Sequence, residues 1–281
     1  MTSKQQFGTS WRLVADAVRL GLGDSPDFSI DDGQIRCSVS TVRRLDVVAA
    51  AGGVGCSHLA SRLSVLLANR RQSKVLGVDA AGGELTRLTR AQPRQLAEEM
   101  PARSGDGARR MHPEVSVNLV VEATNALMTG RGGLRVIQPE VKSNVVRPSD
   151  WRQSVDPVLR FFDVVVTDWG RRYPGIDFEA ALDGARAVAL VCRSDRGSLE
   201  QAVSIASAFP DHRVVVCSID VDAIGPKAAQ VASDWGEAPV VYVPYVPNPA
   251  TSVPPFPARQ ALIRVASLMM RLAAGAKGGE L

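Results

Sequence analysis

A short apolar run, a glycine turn and a helix-periodic run follow one another without a gap: "LDVVAA" at 45–50, "AGGVGC" at 51–56 and "SHLASRLSVLLANRR" at 57–71. The first reads as a buried strand, being short, largely apolar and closed by glycines. In the third, Leu59, Leu63, Leu66 and Leu67 make one helical stripe, and arginines stand at the end where they oppose the helix dipole. Such a strand–turn–helix unit buries both its parts only when further strands and helices stack beside it.

The rest of the chain supplies them. Strand-like runs recur at 74–79, 134–138, 162–168, 187–192, 213–219 and 239–244, and helical patterns at 151–161, 197–208, 225–235 and 257–274. This alternation predicts an α/β fold with a mainly parallel sheet of seven to eight strands and helices on both faces. Right-handed crossovers then bring the loops after the strands to one edge, where ligands bind in such sheets. The glycine turn lies on that edge. Residues 89–113 are polar and punctuated by Pro and Gly, which predicts a short helix and a mobile loop. Residues 1–44 stand outside the alternation as an N-terminal extension, with an amphipathic helix near 10–20 and a linker, "GLGDSPDFSIDDG". Residues 45–281 form the domain proper.

Composition excludes several classes. With 281 residues, 45% hydrophobic and 22% charged, the chain suits a soluble protein with a sizeable core. A net charge of +4 is mild, and the arginine pairs 43/44, 70/71, 109/110 and 171/172 read first as solvated surface, and second as a nucleic-acid or lipid footprint. No apolar run approaches the ~18 residues of a membrane span. The N-terminus lacks the apolar core and cleavage site of a secretory signal. Four cysteines without a C-x-x-C pair and three scattered histidines give no zinc spacing. A cytoplasmic location, at most peripheral to the inner face of the membrane, is expected.

The glycine turn is close to a phosphate-binding loop, G-x-x-x-x-G-K-[ST], but Cys56 stands where the lysine belongs. In such loops backbone amides and a helix N-terminus hold the phosphates, and the lysine neutralises charge that develops on transfer. A thiol cannot do that, and losing transition-state charge stabilisation of this kind costs on the order of 10²-fold or more in rate.

The order of elements and the motifs resemble the ParA/MinD family of P-loop ATPases over roughly residues 43–274. The family's loop, K-G-G-V-G-K-[ST], is matched by Ala51-Gly52-Gly53-Val54-Gly55-Cys56-Ser57, with the frame and the serine kept and both lysines gone. "KVLGVDAAGGELTRL" is similar to the second strand and switch I, with Asp79 on the first aspartate and Ala81 replacing the second, which supports hydrolysis in the family. "FFDVVVTDWG" resembles the Walker B strand, with Asp168 on the metal-side aspartate and Trp169-Gly170 in place of a proline-bearing turn. "RVVVCSID" occupies the strand that ends in an adenine-reading asparagine, and Cys217-Ser218 stand there instead. "APVVYVPYVPNP" resembles the segment beside the base.

The resemblance implies a P-loop NTPase fold and a vestigial or weak nucleotide site formed by Gly52, Gly53, Val54, Gly55, Cys56, Ser57, Asp79 and Asp168. Ser57 and Asp168 would hold metal only with a bound magnesium nucleotide. No catalytic residue and no resident cofactor are expected, and ATP with magnesium binds weakly if at all. Other readings stand beside these: Ser57 as a helix N-cap, Asp79 and Asp168 as strand-ending acids that cap turns, His58 as a surface or cap residue, and Cys56 as a thiol activated by the helix N-terminus. Trp169, Arg171, Arg172 and Tyr173 read as an interaction surface, or Trp169 as the cover of a closed nucleotide pocket. The C-terminal stripe Leu262, Val265, Met269 and Leu272 reads as a core helix rather than a MinD-like membrane tail.

The function expected is that of a degenerate ParA/MinD-like protein, a pseudo-ATPase serving as a structural, positioning or regulatory partner in an envelope machine. Type VII secretion and pilus assembly of the TadZ/CpaE-like kind are the examples the resemblance suggests. The alternative is an active partitioning or positioning ATPase, with DNA binding through the arginine pairs as a third reading. A protein partner is expected, a homodimer is possible and any dimer should form without ATP; nucleic acid is the less favoured partner.

Overall fold

The computed structural model describes residues 27–71, 74–93, 126–139, 146–173, 176–208, 213–247 and 254–275. The helix expected near 10–20 and residues 94–113 of the polar stretch lie outside them. The first described element is α1 (Asp27–Arg36), which falls where a linker was expected. Tertiary contacts override its weak local pattern: Ile35 is fully buried, and Asp31 and Asp32 meet Arg264 and Arg70 at 3.3 and 2.8 Å. The Arg71 guanidinium donates to the carbonyls of Ile35 and Cys37, which fixes the end of the helix.

Strand β1 (Arg43–Ala49) leads through the glycine loop into α2 (Cys56–Arg70), and β2 (Val75–Asp79) leads into α3 (Glu84–Thr89). Two short strands, β3 (Gln92–Pro93) and β4 (Met128–Thr129), and a single 3-10 turn precede β5 (Arg135–Ile137). Then come α4 (Pro148–Leu159), β6 (Val164–Arg171), α5 (Ile176–Leu182) and β7 (Ala187–Arg193). The chain continues through α6 (Arg196–Ala208), β8 (Val214–Asp220), α7 (Lys227–Ala232), β9 (Val240–Pro244) and α8 (Phe256–Ala274).

Among the described residues the sheet has nine strands, in the order β3-β4-β5-β2-β6-β1-β7-β8-β9. The expected seven to eight become nine because two-residue β3 and β4 add an antiparallel margin too short to leave a period-two signal. All other pairings are parallel. One face packs on α1, α2, α3 and α8, through Leu59, Leu63, Leu85, Val265 and Met269 among others. The opposite face packs on α4, α5, α6 and α7, through Trp151, Val155, Phe178, Leu199 and Ala229. Helix α8 is a core helix, and no helix among the described residues is long and apolar enough to cross a membrane.

Strand β6 carries the irregularity that shapes the site. Val47 pairs with Asp168 but Val48 pairs with Gly170, so Trp169 is an extra residue in a bulge against β1. Gly170 takes φ +61°, which an L-residue adopts only under strain. Asp168 faces α2 and Trp169 faces α4.

Candidate functional site

The glycine loop sits at the carboxyl end of β1, at the centre of the sheet, between the ends of β6 and β7. Gly53 and Gly55 hold φ +69° and +87°, while Gly52 has no positive φ. Gly55, not Ser57, is the N-cap of α2, and no side chain caps the helix. The amides of its first turn therefore lack the acceptor that a serine or aspartate N-cap would bring.

Cys56 turns inward. Its Sγ lies 3.7 Å from Asp168 Oδ1 and 3.6 Å from the Gly170 carbonyl. Burial, and then the Asp168 charge, push the thiol well above its ordinary pKa, so the helix N-terminus does not activate it. Asp168 is fully buried. Its Oδ1 also accepts the Gly170 N–H at 3.0 Å, and the Ser57 hydroxyl hydrogen-bonds the carboxylate. Burial raises its pKa from 3.8 to about 6; the Ser57 hydroxyl and the Gly170 amide pull the other way, and the Asp79 charge adds to the rise.

Asp79 is the register partner of Asp168 on β2 and is equally buried. Its carboxylate is fully engaged: it accepts the N–H groups of Ala81, Gly83 and Thr86 at 3.3, 3.0 and 2.7 Å, and so closes the N-terminus of α3. Asp79 is thus a turn- and helix-capping acid.

On the other side of the loop, Ile219 at the end of β8 closes over Gly55. A methyl group placed on Gly55 would lie 3.2 Å from Ile219 Cδ1. Next to it a cavity of about 30 Å³ is lined by His58, Leu59, Arg62, Ile219, Pro244 and Tyr245 among others. His58 is half-buried: its ring packs edge-on against Tyr245 at 5.4 Å, and burial, with the Arg62 charge second, lowers its pKa to about 4. Cys217 and Ser218 are buried in β8, where Ser218 shares a 2.9 Å hydrogen bond with Ser194.

The four residues read as an interaction cluster separate. Trp169 is 1% exposed and lies in the core of the far face, 6.4 Å from the Trp151 ring. Arg172 is buried too, with its guanidinium over Trp169 at 4.9 Å and donating to the Trp169 and Val146 carbonyls. Trp169 is therefore neither an exposed hot spot nor a cover for the glycine loop, because strand alternation puts it on the face opposite Asp168. Arg171 and Tyr173 remain exposed, stacked at 4.6 Å.

Two cations border the loop. The Arg171 Cδ lies 3.7 Å from where a methyl on Gly52 would stand, and Arg193 Nη2 lies 3.9 Å from its counterpart on Gly53. Arg193 ends β7 and pairs with Asp222 at 3.1 Å. Sequence reading passed over Arg193, although its position one residue beyond an apolar strand places it on the ligand edge.

These groups do not match what a magnesium nucleotide requires. The loop itself carries no cation, Cys56 is spent on Asp168 and Asp79 on backbone amides. Among the described residues no group of three or more His, Cys, Asp or Glu side chains is placed to hold a metal ion.

No protein-family model matches the chain. Over 235 residues, 80% of its length, it is 26% identical to the ESX-1 secretion-associated protein EspI of Mycobacterium tuberculosis. The chain spans only 29% of that relative's length. Among solved structures, the cell division ATPase MinD of Pyrococcus furiosus superposes with a TM-score of 0.58 at 17% identity, covering 82% of this chain and 99% of that one. A ParA family ATPase from Chlorobium tepidum gives 0.57 at 15% identity, covering 80% and 98%. The chain has the ParA/MinD type of P-loop NTPase fold, and the resemblance read from its motifs holds at that level.

Proposed function

We propose that this protein is a ParA/MinD-fold chain that does not turn over ATP and acts as a structural, positioning or regulatory partner in an envelope-associated secretion machine. The observation that carries the first half is the Cys56–Asp168 contact. The side chain at the position of the phosphate-binding lysine is neutral, buried and directed at the carboxylate that would face a metal. Charge stabilisation at the transferring phosphoryl group is the main lever of this chemistry, and its loss costs on the order of 10²-fold or more. The second half is supported by the likeness to EspI, whose name ties that protein to ESX-1 secretion. In this reading the protein works in the cytoplasm, reaches the inner face of the membrane through a protein partner, and self-associates without ATP, since Ala51 cannot reach a phosphate across a dimer.

A phosphate-release assay with magnesium, run with and without DNA or lipid, tests the reading; release at background is expected. Turnover at the level of an ordinary ATPase of this fold would sink it. Sedimentation with and without ATP tests the dimer, and an ATP-dependent shift from monomer to dimer counts against it. The second reading, a working positioning ATPase, is favoured by the two arginines beside Gly52 and Gly53. The same release assay decides between them.

A further inference from the structure

We propose that the free edge of β9 is a homodimer interface, pairing antiparallel with β9 of a second copy so that the two sheets join into one. This rests on the self-association without ATP proposed above and names the surface that serves it.

Strand β9 closes the sheet, bonded to β8 on one side and, among the described residues, to no strand on the other. Its ladder to β8 starts at the Pro239 carbonyl, which accepts the Val216 N–H at 2.9 Å, and parallel pairing then alternates through Val241 and Val243. The N–H and C=O groups of Val240 and Tyr242 therefore point away from the sheet. Such an edge templates a further strand unless charge, proline, a bulge or shortness guards it. The opposite margin is guarded, since β3 is two residues long and one of them is Pro93. In β9 no residue is charged, the pairing with β8 has no bulge, and proline enters only at Pro244.

A second copy fits because this edge is complementary to itself. An antiparallel partner centred on Val241 sets Val240 opposite Tyr242 of the second copy, and Tyr242 opposite its Val240. Both pairs exchange N–H···O bonds in each direction, and no outward amide of the strand is left over. Each pair also sets an aromatic ring beside a β-branched side chain, a favourable cross-strand contact. Centring on Tyr242 instead would put Val240 against Pro244, which has no N–H to give. The flanking helix α7 repeats the symmetry. Asp220 accepts the Ile224 and Gly225 N–H groups and the Tyr242 hydroxyl, so α7 begins at the carboxyl end of the sheet. Lys227 is exposed there, Val231 is exposed midway, and Asp234 and Glu237 are exposed towards the start of β9. A two-fold axis brings the Lys227 end of one copy to the acidic end of the other.

Sedimentation of the full chain over about 1–100 μM, with hydrogen exchange read at single amides, tests the proposal. A dimer without ATP is expected. Exchange at Val240 and Tyr242 should slow about tenfold or more as it forms, while Val241 and Val243, already bonded to β8, stay unchanged. Val240→Pro removes an outward N–H and spares the ladder to β8, and should weaken the dimer at least about tenfold. Lys227→Glu should weaken it about threefold, and adding Asp234→Lys should restore it. A chain that stays monomeric overturns the proposal and leaves the edge to an extended segment of another protein. A dimer whose Val240 and Tyr242 amides exchange at the monomer rate overturns this surface but leaves self-association without ATP standing; dimerisation only with ATP ends both. Should Val240→Pro not fold, unchanged affinity in Lys227→Glu overturns the proposal instead. Phosphate release does not depend on this edge, so the non-hydrolysing reading fails separately.

Discussion

The Cys56 thiol donates to the Asp168 carboxylate at 3.7 Å in the buried floor of the glycine loop; the carboxylate makes the thiol harder to ionise, while the donated bond favours the ionised carboxylate. That bond does not offset the cost of burying Asp168, which a lysine's charge in the same place would counter far more strongly. The balance is measurable.

Asp168 titrates near 6 in the folded protein against an ordinary value of 3.8. Between those values the native state holds a proton that the unfolded chain has released, so stability falls as pH rises through about 4 to 6. Above 6 the full cost is present, on the order of 3 kcal/mol. Asp168→Asn should flatten this slope and make the protein more stable than its parent at pH 8. Urea midpoints measured from pH 4 to 8 test it, and an unchanged slope refutes the assignment.

Asp79 is held differently, because its carboxylate satisfies three backbone donors. Asp79→Ala leaves these part-buried donors without their acceptor and should cost about 2–4 kcal/mol. Asp79→Asn, which keeps one acceptor oxygen, should cost less. Hydrogen exchange at Gly83 and Thr86 reports the loosening of α3 directly.

Gly55→Ala places a methyl at φ +87° and 3.2 Å from Ile219. The strain should lower stability by about 1–3 kcal/mol. Gly52→Ala, with no positive φ and its nearest atom at 3.7 Å, should cost under about 0.5 kcal/mol. Equal losses at both positions in chemical denaturation would contradict the loop geometry.

Trp169→Ala should destabilise by about 3–5 kcal/mol through the cavity left beside Trp151. Tyr173→Ala, on an exposed residue, should stay within about 0.5 kcal/mol of the parent. Thermal melts of the pair separate core from surface in what is one contiguous sequence cluster.

That cluster shows where sequence reading stops. The α/β order was legible because apolar runs of strand length alternate with helical stripes such as Leu59–Leu63–Leu67. The reading ended β6 at Asp168, however, whereas the strand runs on to Arg171. Carried three residues further, period-two alternation sends Trp169 to the face opposite Asp168 and leaves Arg171 at the edge. Helix α1 was illegible for another reason: its partners Arg70, Arg71 and Arg264 are distant in sequence, and its own pattern is weakly amphipathic. Arg193 belongs to the candidate site only because β7 lies beside β1, a neighbourhood fixed by topology rather than by spacing.

The bulge at Trp169 also ties β6 to the loop after β2. Gly170 holds a backbone angle closed to proline, and a methyl on it would lie 2.9 Å from the Ala81 side chain. The two positions are interlocked: a side chain at 170 and a larger one at 81 compete for one small volume, so the costs of changing them do not add.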